Sequence, residues 1–396
     1  MKTAGIICEY NPFHAGHAWQ IAEIRRTLGE DTAVVCAMSG NFVQRGDFAI
    51  LRKHVRAEAA VRGGADLVLE LPTPWATASA ECFARGGVEV LSGTGVVDTL
   101  CFGSECAKIE KLLRLAQLLT SDDFANALRT ELDKGISFAA ARELAAEKIL
   151  EDDAEILRGP NDILGVEYCK ALQGKNIVPL ALARMGVGHD AGEENGFASA
   201  SYIREKLTAN QQSDDYLTSD MAQLYAQERA AGRAPVTMRT AERAMLARLR
   251  SMSEDEIAKY DEGNEGHFHR LYDAGRTAAS MEDLLTSAKT KRYAYARLRR
   301  MVLRMYLGIT PDETKKEIPY LRVLACNERG RMLLKQMKKT ATLPILTKSA
   351  DVRLLSEAAQ HLFAIEVRST DLYTLAYPDL TQAVGGSEWT TNPVIL

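Results

Sequence analysis

Over roughly its first two hundred residues the chain repeats one pattern: a short, wholly apolar run, a polar glycine-bearing turn, and then a stretch with helical spacing. The apolar runs are 3–9, 32–38, 66–71, 97–102 and 178–185, and the helical stretches between the first of them are 16–28, 53–62 and 78–91. Strands apolar on both faces have no side to present to water, so they must be covered twice. The pattern therefore predicts an α/β fold, a Rossmann-like parallel sheet with crossover helices on both faces. Residues 109–150 read as helix, broken at Arg158-Gly159-Pro160-Asn161-Asp162. Past a linker around 211–215 the chain reads as mainly helical to about residue 339, with short strands expected at 343–346, 362–367 and 372–377. The division expected is an α/β region over 1–210 and a mainly helical region over 211–396.

Composition narrows the class. With 46% hydrophobic and 26% charged residues, 396 residues can bury a core, which excludes a disordered chain. Lys plus Arg is 49 and Asp plus Glu 53, a net charge of −4, so any basic face is a local feature on a neutral whole. No apolar run approaches the ~18–20 residues of a membrane span, and Met1-Lys2-Thr3-Ala4-Gly5 enters the first strand without a leader-type segment. The seven cysteines form no C-x-x-C pair, and the spacing of the nearest, Cys101 and Cys106, matches no standard zinc or redox motif. A soluble, reduced, cytoplasmic protein without membrane contact is expected.

The most informative segment is Gly5-Ile6-Ile7-Cys8-Glu9-Tyr10-Asn11-Pro12-Phe13-His14-Ala15-Gly16-His17. A buried strand runs into an Asn-Pro turn and delivers H-x-G-H at the opening of a helix. Ligands of open α/β sheets bind beyond the carboxyl ends of strands. A helix N-terminus offers phosphate its unpaired N–H groups and a partial positive charge. Gly16 has no Cβ, so a nucleotide can approach the backbone there. His14 and His17 can donate hydrogen bonds to phosphate oxygens and stabilise the charge growing on a departing pyrophosphate. An isolated H-x-x-H is more often a surface pair, and a zincin site needs histidines four apart with a Glu between. Strand, turn, glycine and helix together favour phosphate chemistry.

Four further segments are open to two readings each. In Ser39-Gly40-Asn41-Phe42-Val43-Gln44-Arg45-Gly46-Asp47-Phe48, Gln44 and Arg45 can bind an anion or belong to an ordinary surface loop; Lys53, His54 and Arg56 after it can equally be a solvated helix face. Gly103 can admit an adenine or ribose, or simply make a turn. Asn161 can read a nucleotide edge or cap the next helix. From Arg184 to Ser199-Ala200-Ser201-Tyr202-Ile203-Arg204 the hydroxyls and arginines suit a second anion nest, although N-capping alone accounts for the serines.

Residues 284–311 contain no acidic side chain. They hold Lys289, Lys291, Arg292, Arg297, Arg299, Arg300 and Arg304, interleaved with Tyr293, Tyr295 and Tyr306. Cations that neutralise phosphate beside rings that stack on unpaired bases suit RNA; solvated helix faces with core tyrosines are the plainer alternative. Arg329, Arg331, Lys335, Lys338 and Lys339 form a second basic run.

On these residues the chain resembles the H-x-G-H nucleotidyltransferase superfamily and, more closely, the tRNA(Met) cytidine acetate ligase family. The matching pieces are Glu9-Tyr10-Asn11-Pro12-Phe13-His14-x-Gly16-His17, Gly40-Asn41-Phe42-x-Gln44-Arg45-Gly46, Gly159-Pro160-Asn161-Asp162, Ile203-Arg204, Thr290-Lys291-Arg292-Tyr293, and Arg322-Val323-Leu324 with Asn327-Glu328-x-Gly330. One departure is the Leu180-Ala181-Leu182-Ala183 run before Arg184, where the family pattern would place a Lys.

The resemblance implies a ligase that converts acetate and ATP to acetyl-adenylate, releasing pyrophosphate. It then transfers acetyl to N4 of the wobble cytidine of elongator tRNA(Met), giving N4-acetylcytidine and AMP. The implied catalytic residues are His14 and His17. The implied ATP contacts run through Ile7-Cys8-Glu9-Tyr10-Asn11-Pro12-Phe13-His14-Ala15-Gly16-His17-Ala18-Trp19-Gln20 and add Gly103, Asn161 and Arg184. Mg²⁺ would accompany ATP, with no protein ligand assigned to it. Lys289, Lys291, Arg292, Tyr293, Arg297 and Arg300 would contact tRNA. Two other functions use the same features: an adenylyltransferase acting on a phosphorylated small metabolite, and a non-catalytic tRNA-binding protein.

Overall fold

The computed structural model describes residues 2–184, 193–194, 197–211, 214–261, 266–290 and 294–396. Its first part runs β1 (Thr3–Cys8), α1 (Ala15–Leu28), β2 (Ala33–Ser39), the hairpin β3 (Phe42–Val43) and β4 (Asp47–Phe48), α2 (Lys53–Arg62), β5 (Leu67–Leu71), α3 (Thr73–Ala76), α4 (Ala80–Gly93) and β6 (Thr99–Ser104). The 109–150 stretch is three helices, α5 (Ile109–Leu118), α6 (Asp122–Leu132) and α7 (Phe138–Leu150), followed by α8 (Pro160–Ala171), β7 (Val178–Ala183), the pair β8 (Glu193–Glu194) and β9 (Phe197–Ala198), and α9 (Ala200–Thr208). Then come α10 (Ser219–Ala230), α11 (Glu242–Ser251), α12 (Glu254–Ala258), α13 (His267–Thr277), α14 (Met281–Ala288) and α15 (Tyr295–Leu307). The chain closes with β10 (Leu321–Cys326), α16 (Glu328–Thr340), β11 (Ile345–Leu346), α17 (Glu357–Thr374), α18 (Ser387–Thr390) and β12 (Val394–Ile395).

The main sheet has the order β11-β10-β5-β2-β1-β6-β7, with β12 beside β10. The pairs from β5 to β7 are all parallel, as the apolar runs require. Side chains of β1 and β2 alternate between two cores: Ile7, Val35 and Ala37 enter one with α4, α5 and α8, while Ile6, Val34 and Cys36 enter the other with α1 and α2. A third core is built from α11, α13, α14 and α15, and the hairpin residues Phe42 and Phe48 insert into it.

Three expectations need correction. The sheet is mixed, because β10 pairs antiparallel with β5, Val323 opposite Leu69. Residues 321–326 are thus a wholly buried strand rather than helix. Arg322 disguised it, a charge in an apolar run, yet its guanidinium is buried against Glu388 at 3.1 Å. A strand from beyond residue 211 therefore completes the sheet, and the expected boundary near 210 does not divide that layer. The strands expected at 362–367 and 372–377 fall largely in one helix, α17, where buried Leu362, Glu366, Thr370 and Tyr373 recur every three or four residues. No described helix is long and apolar enough to cross a membrane.

Candidate active site

From β1 the chain builds outward through β2 and β5, then crosses back to lay β6 on β1's other side. Ligands of doubly wound sheets lie at the carboxyl ends of the strands where such an order reverses. A cavity of about 290 Å³ opens there. Glu9 and Tyr10 follow β1 into it, with His14, Gly16 and His17 from the start of α1 and Gly103 from β6; Gln44 and Arg45 come from the hairpin, Asn161 from α8, Arg184 from the end of β7, and Ser199 and Arg204 from the start of α9. Phe83, Phe102, Leu164, Tyr168 and Leu182 give the wall an apolar part, the mixture expected of a small-molecule site.

The turn after β1 is held under strain. Tyr10 has φ +44°, an uncommon conformation for a residue with a side chain. Long-range bonds fix it: Arg204 Nη1 donates to the Asn11 carbonyl at 2.8 Å, Asn11 Oδ1 accepts from the Ile50 N–H at 2.8 Å, and the buried Arg56 donates to the Glu9 carbonyl. Arg56 also donates to the carbonyls of Ser39, Gly40 and Leu51. Lys53, His54 and Arg56 are all buried, so the helix face read as solvated or anion-binding is a structural clamp instead.

The turn delivers His14 as the N-cap of α1. Its Nδ1 accepts from the Gly16 N–H at 3.1 Å, and His17 Nδ1 accepts from the His14 N–H at 3.2 Å, a reciprocal capping box made by two imidazoles. Their ring centroids lie 3.7 Å apart. With both Nδ1 atoms accepting, the proton of each neutral ring is on Nε2. Burial, followed by Arg184 and Arg204, lowers the His14 pKa to about 4; burial, His14 and Arg184 carry His17 well below its ordinary value. Two neutral N–H donors thus stand beside a helix N-terminus at neutral pH. Because the folded value of His14 is depressed, its contribution to stability grows as pH rises from about 4 to 6.5, and His17 acts in the same direction. Neither histidine should therefore add an inflection near pH 6.5 to the kcat/KM profile for ATP beyond the one given by the nucleotide's own terminal phosphate, which initial rates in overlapping buffers, compared with the titration of free ATP, will check.

The other residues assigned from sequence divide. Pro12, Phe13, Ala15 and Ala18 are not on the cavity wall, whereas the remainder of the 7–20 stretch is. Phe13 is fully buried in the core beneath α1, so its part is to seat the turn. Gly103 makes room for a protein group: a Cβ there would stand 3.2 Å from Arg184 Cγ. Arg184 Nη1 donates to Asn161 Oδ1 at 2.9 Å, and Asn161 Nδ2 donates to Glu105 Oε1 at 2.6 Å, a relay that aims the arginine at the cavity mouth. Partial desolvation of Glu105 is outweighed by the hydrogen bonds it accepts from Asn161 and the Asp162 N–H, which lower its pKa. Asp162, quoted in the motif but given no role, accepts from the Glu105 and Cys106 N–H groups and so locks the turn after β6 to α8. Arg204 and Arg45, absent from the residues assigned to ATP, also reach the wall; polar loop composition alone had not separated them from solvated arginines.

A model of the HIGH nucleotidyl transferases matches residues 1–387. The chain is 36% identical over 418 residues to the tRNA(Met) cytidine acetate ligase of Acetivibrio thermocellus, covering 100% of both. The family is thereby decided. This chain belongs to the tRNA(Met) cytidine acetate ligase family. Its relative from Caldanaerobacter subterraneus subsp. tengcongensis is 37% identical over 388 residues, 95% of this chain and 96% of that one. Among solved structures, Thermotoga maritima TmcAL in its apo form superposes with a TM-score of 0.96 at 33% identity over 100% of both chains. The same protein bound with alpha-thio ATP gives 0.94, again over 100% of both.

In this ligase-family chain the two basic runs lie in different places. Helix α15 abuts the hairpin that walls the cavity: Arg299 pairs with Asp47, and a Cβ on Gly46 (φ +74°) would stand 2.4 Å from the Arg300 N atom. Lys289 is exposed, with its ammonium 5.7 Å from the Tyr295 ring, and Arg297 lies 3.8 Å from Asp261. Arg304 and Tyr306 are buried, donating to the Pro74 and Leu372 carbonyls, and so leave the RNA surface read from the sequence. Lys291, Arg292 and Tyr293 lie outside the described residues. The second run begins at the opposite sheet edge, where the Asn327 N–H donates to the Asp66 carbonyl just before β5. Gly46→Ala should therefore push the hairpin off α15, at a cost of about 1–3 kcal/mol; a thermal melt with a drop of several degrees is the expected result.

Proposed function

We propose that this chain is an ATP-dependent tRNA(Met) cytidine acetate ligase acting in the cytoplasm, with the switch-point cavity as its ATP site. The observation that carries the reading is the pair of neutral imidazoles capping α1 inside that cavity. The N-terminus of α1 and the two Nε2–H groups receive the triphosphate, and Arg184, steered by Asn161, adds positive charge at the mouth. Acetate attacks the α-phosphorus, the bond to the β-phosphate oxygen breaks, and the negative charge arriving on pyrophosphate meets donors already in place. Acetate alone would have to expel oxide; as acetyl-adenylate it expels AMP. The cytidine N4 amine, weakened by delocalisation into the ring, can then attack the carbonyl carbon.

The carboxylates around the cavity do not form a ligand set for Mg²⁺. Glu105 is occupied by Asn161 and the Asp162 N–H, and among the described residues no group of three or more His, Cys, Asp or Glu is placed around a metal. An ion in this reading is held by phosphate oxygens and water.

Elongator tRNA(Met) would lie on the surface of α15, with Lys289, Arg297 and Arg300 as contacts, and Lys291, Arg292 and Tyr293 are assigned to it from the sequence alone. The contact between Gly46 and α15 supports this, because it puts that surface beside the cavity and leaves α16 apart. Lys289→Glu with Lys291→Glu should weaken tRNA binding and reduce its salt slope by about one to two units; titration at several salt concentrations measures both.

The decisive experiment incubates the protein with ATP, labelled acetate and total tRNA. N4-acetylcytidine, AMP and pyrophosphate are the expected products. Pyrophosphate exchange that depends on an added phosphorylated metabolite rather than on acetate would instead indicate an adenylyltransferase.

A further inference from the structure

Among the described residues Glu9 is the only acid on the cavity wall. A carboxylate in a site for a triphosphate opposes binding by like-charge repulsion, so its presence calls for a function in the second half-reaction. Resting on the ligase reading, we propose that Glu9 is the general base that takes the proton from the cytidine amine as it attacks acetyl-adenylate. The balance is simple. The N4 lone pair forms a C–N bond to the acetyl carbon, the C–O bond to AMP breaks and AMP leaves with those electrons, and the surplus N4 proton passes to the Glu9 carboxylate.

The histidines cannot serve in its place. Each has committed Nδ1 to a backbone N–H and carries its proton on Nε2, so each is a donor with no free acceptor. Glu9 is also on the appropriate side. Its Oε1 accepts from the Gln44 N–H at 2.6 Å, and Gln44 belongs to the hairpin whose Gly46 is packed on Arg300. The carboxylate therefore stands between the phosphate-binding helix and the surface assigned to tRNA.

The groups facing it set its basicity. Arg45 comes from the hairpin, Arg56 from α2 and Arg204 from α9, all favouring the ionised form; Tyr168, from α8, is kept neutral partly by Glu9 itself. Burial outweighs the Gln44 N–H and the arginines and raises the Glu9 pKa above the ordinary carboxylate value, a shift that makes it a better proton acceptor near neutrality.

The test is Glu9→Gln, which keeps an acceptor for the Gln44 N–H, with Glu9→Asp beside it. Two rates are measured across pH: acetate-dependent ATP–pyrophosphate exchange, and single-turnover transfer from enzyme-bound acetyl-adenylate to tRNA. Glu9→Gln should lower the ratio of transfer to exchange by roughly 10²–10⁴-fold and abolish the rise of transfer with pH, and Glu9→Asp should restore part of that rise. Equal loss of both rates, or transfer as fast and as pH-dependent as in the unmodified enzyme, overturns the assignment. An unmodified enzyme with no acetate-dependent exchange fails at the ligase reading itself, so the two failures are told apart.

Discussion

His14→Ala should slow acetate-dependent pyrophosphate exchange by roughly 10²–10³-fold, the usual loss when one preorganised donor to a developing oxyanion is removed. tRNA affinity should change little, because the imidazole lies at the α1 end of the cavity and the basic surface lies across the hairpin from it. Alanine also removes a helix cap, which costs about 0.5–2 kcal/mol of stability, and a melting curve will register that loss. His14→Asn separates the two roles. Asparagine is among the best N-caps and can accept the Gly16 N–H that His14 Nδ1 now accepts, but it has no counterpart of Nε2–H reaching the phosphates. If exchange is as slow in the Asn variant as in the Ala variant while its melting temperature returns, the imidazole acts on the nucleotide. If exchange returns with the cap, the residue only builds the helix start. His17→Ala should lose both functions together, since His17 Nδ1 closes the other half of the box.

The contrast between these histidines and the arginines shows what a sequence can carry. H-x-G-H was legible because its parts are local: the strand, the Asn-Pro turn and the first turn of α1 lie within seventeen residues, and the same short segment fixes which groups face the phosphates. The parallel strands were legible for a similar reason, as apolar runs declare double coverage without reference to the remainder of the chain. Arg56, Arg322 and Glu388 were not legible. Each is a charge whose meaning depends on a partner elsewhere in the sequence, and a lone charge looks solvated until that partner is known. Arg322 broke up the signature of a buried strand, and α17 was split into two strands because its buried polar residues Ser369 and Thr370 interrupted an apolar helix face. Glu9 falls in between: its place in the motif was visible, but its function depends on the hairpin and α9 bringing Gln44, Arg45 and Arg204 to the same wall.

Lys53→Met should be the most destabilising of these substitutions. The Lys53 side chain is 2% exposed, and its ammonium lies 2.7 Å from Glu70 and 2.8 Å from Glu388; Arg322 is 3.1 Å from Glu388 and 3.6 Å from Glu70. A third carboxyl, Glu366, accepts from the Thr73 N–H and hydroxyl. Burial and the neighbouring Glu70 raise its pKa to about 8, so at neutral pH it keeps its proton and two cations face two carboxylates. Removing Lys53 leaves two buried carboxylates with one cation, at a cost of about 3–5 kcal/mol, or a fall in Tm of roughly 4–6 °C for a chain of this length. Lys53→Met combined with Glu388→Gln should recover part of it, because the surplus charge goes with the second change. The pH dependence has two signs. Lys53 and Arg322 hold Glu388 below its ordinary value, so its contribution is present above about pH 4.5 and is lost on acidification. Glu366 is held above its ordinary value, so stability falls as pH rises from about 4.5 through 8. Glu366→Gln should flatten that alkaline decline while leaving the acid side intact, and Tm measured from pH 4 to 9 will show whether it does. The consequence reaches the active site, because Lys53 opens the same helix as Arg56, which holds the carbonyls of Glu9, Ser39 and Gly40. A helix loosened at Lys53 releases the strained turn that aims His14, so exchange activity should fall at temperatures below the global melt.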